Sequence, residues 1–169
     1  MRNILSVLVC YALWQLAAMA QAGAGMTDQD FVNLAAQTDM TEAHLGQLAQ
    51  AQGDSQAVKD LGQMLVTDHT TDYSQLGMIA TKAGLTVPKG IDAKHDKMIA
   101  PFEKLKGKTF DRRYTQTMVK GHQEAIAAYK KEASDGQNAD IKAYAQQTLP
   151  TLEKHLKAAQ DAAKGKSAS

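Results

Sequence analysis

Breaks at Gly53, Pro88 to Gly90, Gly107 and Gly136 cut this 169-residue chain into segments of helix length. Between the breaks Ala, Gln, Lys, Leu and Met dominate, and no β-branched or aromatic run reaches strand length. An all-α fold is the only class this pattern serves. Capping residues set the helix ends. Thr27 or Asp28 starts a helix over Asp28 to Gln52, and Gly53 stops it. A second helix begins after Asp54-Ser55 and ends near Gly84, and Leu85 to Gly90 forms a connector. A short helix from about Asp92 to Leu105 follows, weakened by Pro101. Thr109 caps a long helix ending at Asp135-Gly136, and a last helix spans Ala139 to Ala163 with Pro150 in its interior. Pro150 removes one helical hydrogen bond, which predicts a kink that opens room near His155 or lets the helix wrap the bundle.

Each long segment carries an apolar stripe of helical period. Phe31, Leu34, Thr38, Leu45 and Ala49 share a face of the first, and Val58, Leu61, Leu65, Leu76 and Ile79 one of the second. Phe110, Tyr114, Met118, Ala125 and Tyr129 line the third, and Ile141, Tyr144, Leu152, Leu156 and Ala159 the last. Two hairpins of long helices joined by a longer link predict an antiparallel four-helix bundle with a short extra helix in the link. No repeat of fixed period supports a solenoid.

The chain start has another purpose. Met1-Arg2-Asn3 is a short basic stretch, Ile4 to Met19 is mostly apolar, and Ala18-Met19-Ala20 and Ala20-Gln21-Ala22 are small-residue cleavage sites. The apolar run is shorter than the roughly 20 residues a spanning helix needs. Residues 1–22 therefore read as a cleaved signal peptide, 23–163 as the bundle domain and 164–169 as a frayed tail, which places the protein in the periplasm or cell envelope. Cleavage removes Cys10, so the mature chain has no disulfide or thiolate site. It also removes Arg2, leaving 18 basic residues (19 less one) against 18 acidic ones. Such a balance provides no electrostatic basis for binding nucleic acid, and no long apolar span follows residue 22.

Several polar residues fall where a bundle core expects Leu or Ala. At about 100° per residue, Glu42 lies close to Leu45, Asp72 between Leu65 and Leu76 with Asp68 and His69 at its sides, and His155 between Leu152 and Ala159. His122 is nearer the stripe's margin, beside Met118 and Ala125. His44 and His95 point to solvent. Burying an unpaired polar group costs roughly 1–3 kcal/mol, so converging groups need each other, water or a metal ion. Each set sits in the middle third of its hairpin, with an axial offset of roughly 7 Å at about 1.5 Å per residue.

The blocks Phe31 to Gln37, Glu42 to Gly46, Met64 to Thr70, Phe110 to Tyr114, Met118 to His122 and Thr148 to Leu156 resemble those of a bacterial exported family, domain of unknown function 4142. Its members are often labelled predicted outer-membrane proteins. The resemblance covers about Asp30 to Ala159 and implies a ferritin-like four-helix bundle of the envelope, without an established reaction. Its pattern coincides with Glu42, Asp68, His69, His122 and His155, and departs at Gly121, where the family pattern leads one to expect an acidic residue.

A ferritin-like fold suggests a di-iron centre, which takes one Glu from each of two helices and a Glu-x-x-His pair from each of the others. Here Val66, Val119 and Leu152 stand three residues before His69, His122 and His155, so that set is absent. The residues that remain, Glu42, Asp68, His69, Asp72, His122 and His155, form an imidazole-rich set suited to zinc, copper or iron rather than magnesium or calcium. The alternative is a non-catalytic envelope or stress-associated bundle that contacts an envelope protein or a second copy of itself, with the same groups hydrogen-bonded and no metal. The scattered methionines read as core filling. Neither a nucleophile elbow nor a phosphate-binding glycine loop occurs.

Overall fold

The computed structural model describes residues 25–166. The expected signal peptide, residues 1–22, lies outside them, as do the last three residues of the tail. Among the described residues there are five α-helices and no strand: α1 (Asp28–Gln52), α2 (Gln56–Lys82), α3 (Ala93–Ile99), α4 (Gly107–Asp135) and α5 (Ala139–Ala163), with a 3-10 turn at Phe102–Lys104. None of these helices is long and apolar enough to cross a membrane.

Local chemistry explains the helix ends. At α1, Asp30 N–H donates to Thr27 Oγ1 while Thr27 N–H donates to the Asp30 carboxylate, a reciprocal capping box. Ser55, Asp92 and Asn138 cap α2, α3 and α5 with their side chains. Pro101 ends the short helical segment early and leaves one 3-10 turn. Thr109, expected as a cap, lies inside α4: the helix starts at Gly107 after Lys106, whose carbonyl accepts from Phe110 N–H. The Pro150 ring sits on the exposed side of α5, which stays continuous through it, so the missing hydrogen bond faces water.

The helices pack as a bundle. α1 lies along α2 and α4 along α5, while α2 on α5 and α1 on α4 join the two pairs. Carboxylates latch each turn to the other pair. Asp111 accepts from the N–H groups of Asp54 and Ser55, and Asp28 accepts from those of Gln137 and Asn138. Gln29 and Gln37 pin the long connector to α1 through the backbone of Thr86, Gly90 and Asp92.

The interior is apolar at both ends and polar between them. One cluster holds Leu45, Leu61, Leu65, Phe110, Tyr114 and Met118; the other holds Phe31, Leu76, Tyr129, Ile141, Tyr144 and Leu152. On every long helix the polar residue lies in the gap: Glu42 before Leu45, His69 between Leu65 and Leu76, His122 after Met118, His155 after Leu152. On α1 Phe31, Leu45 and Ala49 are buried as expected, and the face differs between them. Leu34 and Thr38 are only half-buried, and Ala35, Ala36 and Asp39 are buried in their place. Ile79 and Leu156 are likewise half-buried.

One buried carboxyl at the bundle end gives a pH test. Glu132 is 1% exposed. Burial first, and a hydrogen bond shared with Asp28 second, raise its pKa to about 7. A group raised in the folded state contributes stability below its ordinary value of 4.5, and that contribution is lost as pH rises through about 7. Glu132→Gln keeps a donor toward Asp28 without the charge. It should raise Tm at about pH 8 and change it little near pH 4; an equal gain at both would rule out buried charge as the cause.

Candidate metal centre

Four helices each deliver a buried group to the middle of the bundle. Glu42 is 5% exposed, His69 2%, His122 1% and His155 1%. The three imidazoles face one another with ring centroids 5.1 to 5.9 Å apart. One ring nitrogen from each lies within 4.8 Å of the others. His122, expected at the margin of its stripe, is as buried as the other two. The axial offset expected from the sequence is closed.

Each ring is anchored through one nitrogen. His69 Nδ1 donates to Asp39 Oδ1 at 2.9 Å, His122 Nδ1 to the Met118 carbonyl at 2.9 Å, and His155 Nε2 to Asp68 Oδ2 at 2.8 Å. Those partners only accept, so each fixes where the ring carries a proton and leaves the opposite nitrogen with a lone pair when the ring is neutral. The opposite nitrogens are His69 Nε2, His122 Nε2 and His155 Nδ1. All three are buried without a hydrogen-bond partner, and so is Glu42 Oε2. Glu42 Oε2 stands 3.0 Å from His69 Nε2 and 3.2 Å from His122 Nε2. These separations are within ion-pair reach, but the geometry does not align for hydrogen bonds, so charge is what can join them. Four unpartnered donor atoms thus meet in one buried place, where such groups are normally satisfied.

In the metal-free protein the proton belongs on His69. Burial alone disfavours its charged form, but the Asp39 hydrogen bond and the carboxylates of Glu42 and Asp39 prevail, raising it to about 10. Asp39 is itself pushed up to about 7, by burial first, against the pull of His69. The two shifts compete for one proton. One imidazole between two carboxylates is the better place for it, and the rise at His69 is the direction that stands. Burial first and the charge of His69 second lower His155 to about 4, so its ring is neutral at neutral pH.

Of the other residues expected here, Asp68 joins the site as the anchor of His155. Asp72 stands apart: its carboxylate accepts from Tyr144 Oη at 2.8 Å and Thr148 Oγ1 at 3.5 Å, and burial raises its pKa. His44 is half-buried and His95 bonds Asp92, and neither joins the histidine cluster. Gly121 has a role of its own. A Cβ there would lie 3.2 Å from Glu42 Oε1, so the Glu42 carboxylate occupies the space beside it, close to where an acidic residue at 121 would begin.

Asp39 is not among the residues that the expected apolar stripe of α1 singles out. Its signal was there: Ala35, Asp39, Glu42, Gly46 and Ala49 alternate steps of four and three, and all five are buried.

No curated protein and no solved structure matches this chain. A family model, domain of unknown function (DUF4142), matches residues 14–162. With nearly the whole chain matched, including all four helices that meet at the histidines, the protein belongs to the DUF4142 family.

Proposed function

We propose that this protein is an exported metal-binding bundle of the bacterial periplasm or envelope. In this reading the four long helices form an antiparallel, ferritin-like four-helix bundle around one transition-metal ion. His69 Nε2, His122 Nε2, His155 Nδ1 and Glu42 Oε2 are the ligands. The observation that carries the reading is the set of four buried, unpartnered donor atoms, each imidazole held by its other nitrogen. Metal-ligating histidines usually have this second hydrogen bond, to a carboxylate or a backbone carbonyl. Bond lengths of about 2.0–2.1 Å place tetrahedral donors roughly 3.3 Å apart, and the two Glu42 gaps of 3.0 and 3.2 Å are close to that. The donor set of three nitrogens and one oxygen favours zinc, copper or iron.

Mature protein purified without chelator should retain about one equivalent of metal through dialysis, and added ion should raise the Tm of stripped protein. His155→Ala should lose both properties. Metal-free protein whose melting ignores zinc, copper and iron would sink the proposal. One observation favours the alternative, a metal-free bundle acting through protein contacts: His69 already stands within ion-pair distance of two carboxylates. That arrangement still leaves the His122 and His155 nitrogens without partners.

A further inference from the structure

Two cavities reach the centre at His69. One opens between α2 and α5, with a volume of about 380 Å³, and reaches His69 and His155. The other, about 360 Å³, opens beside α1 and the connector and is lined by Met40, Tyr73 and Ile91 as well as Asp39 and His69. They differ in chemistry. The α2/α5 cavity is walled by Asp68 and Asp72, one turn apart on α2, and by Gln147, Thr148 and Thr151 on α5. Asp68 spans the distance from water to the interior: its side chain is 30% exposed, while the His155 ring it holds is 1% exposed. Lys154 Nζ stands 4.0 Å from Asp68 Oδ2 with 62% of its side chain exposed, so it can swing away and leave the carboxylate bonded to His155 alone.

Carboxylates suit a cation that still carries its water, and imidazoles suit the same ion once stripped. At roughly 30 Å³ per water, the cavity has room for on the order of ten waters, enough for a hydrated ion. Two of the residues that line it, His69 and His155, each hold a buried ring nitrogen without a partner. We propose that the α2/α5 cavity is the uptake route for a divalent cation. The hydrated ion is first held by Asp68 and Asp72, then passes to the imidazoles of His155 and His69 and releases its water outward. This inference rests on the metal-binding reading above. The step is a ligand exchange, in which metal–water bonds break as metal–nitrogen bonds form, the proton on His69 Nε2 leaves with the released water, and no oxidation state changes.

The test uses charge at the mouth and leaves every proposed ligand in place. Gln147 is exposed at the rim of the α2/α5 cavity, and Gln47 is exposed at the rim of the other. Uptake of cobalt(II) by stripped protein is followed by stopped-flow visible absorption. Gln147→Lys should slow association and Gln147→Glu should speed it, with about a fivefold difference at low ionic strength that fades in salt. Gln47→Lys and Gln47→Glu should match wild type. A rate that follows charge at position 47 and ignores it at 147 overturns the route, as does indifference at both. Wild type that takes up no cobalt at the histidines overturns the metal reading itself, so the two failures are distinguishable.

Discussion

His69→Ala should be the most damaging single substitution in the centre, abolishing metal retention and destabilising the metal-free protein together. His69 bonds Asp39 and stands 3.0 Å from Glu42, and both carboxylates are nearly inaccessible to water. Removing the imidazole leaves two like charges buried, Asp39 without its partner and Glu42 facing His122 Nε2 at 3.2 Å. Breaking a buried pair in this way costs about 3–5 kcal/mol. The loss should depend on pH. Because the His69 pKa is raised in the folded state, its contribution in metal-free protein is fully present below the ordinary value of 6.5 and is lost as pH rises through about 10. The variant has a different escape: its carboxylates take up protons as pH falls, which relieves the repulsion. The gap in Tm between stripped wild type and His69→Ala should therefore be widest near neutral pH and narrow toward about pH 5 and toward about pH 10. A gap independent of pH would mean that His69 contributes only packing. Asp39→Asn should keep the ligand but weaken its anchor, lowering metal affinity by about 10–100-fold.

The second large effect concerns two glycines. Helices α1 and α2 approach so closely at Gly46 and Gly62 that a Cβ on Gly62 would lie 2.6 Å from the Gly46 carbonyl oxygen and 2.8 Å from Ala49 Cβ. A Cβ on Gly46 would lie 2.7 Å from the Gly62 carbonyl oxygen. The neighbour at each site is backbone, so the helices themselves must separate. Alanine gains about 1 kcal/mol of helix propensity over glycine, but overpacking of this kind costs typically 1–3 kcal/mol. Gly62→Ala and Gly46→Ala should each lower Tm by several degrees, at roughly 2–4 °C per kcal/mol for a chain of this size. Gly77 supplies the control. Nothing lies within 4 Å of a Cβ there, so Gly77→Ala in the same helix should raise Tm. If all three substitutions move Tm in the same direction, close approach does not govern them. Gly46 is one turn beyond Glu42, so its substitution should also loosen bound metal.

Apart from the start of α4, the ends of the long helices were legible in the sequence because caps act locally. Thr27, Ser55, Asn138 and Gly53 sit where side-chain and backbone chemistry alone puts them. The histidines were legible because an imidazole on an apolar stripe breaks a periodic pattern. What escaped was which residues of α1 fill the face between Phe31 and Leu45. Gly46 and Gly62 bring α1 against α2 through the absence of a side chain, and hydrophobic periodicity gives such residues no weight. Periodicity alone therefore places the stripe through Leu34 and Thr38, one position away from Asp39. The burial of His122 escaped for a related reason: its depth depends on where α1 and α5 stand, which no single helix encodes.

The division of the interior into two apolar clusters has a consequence for motion. Each end has its own cohesive reservoir, while the middle holds buried polar atoms without hydrogen-bond partners. Stripped protein should therefore open by local breathing at the waist, with amide exchange faster around residues 39–42 and 118–122 than in the apolar segments that flank them, around 35–36, 45–49, 110–114 and 125–129. Binding a metal would reverse that gradient. Occupancy would then be readable as stiffness along the length of each helix, independent of any change in overall shape.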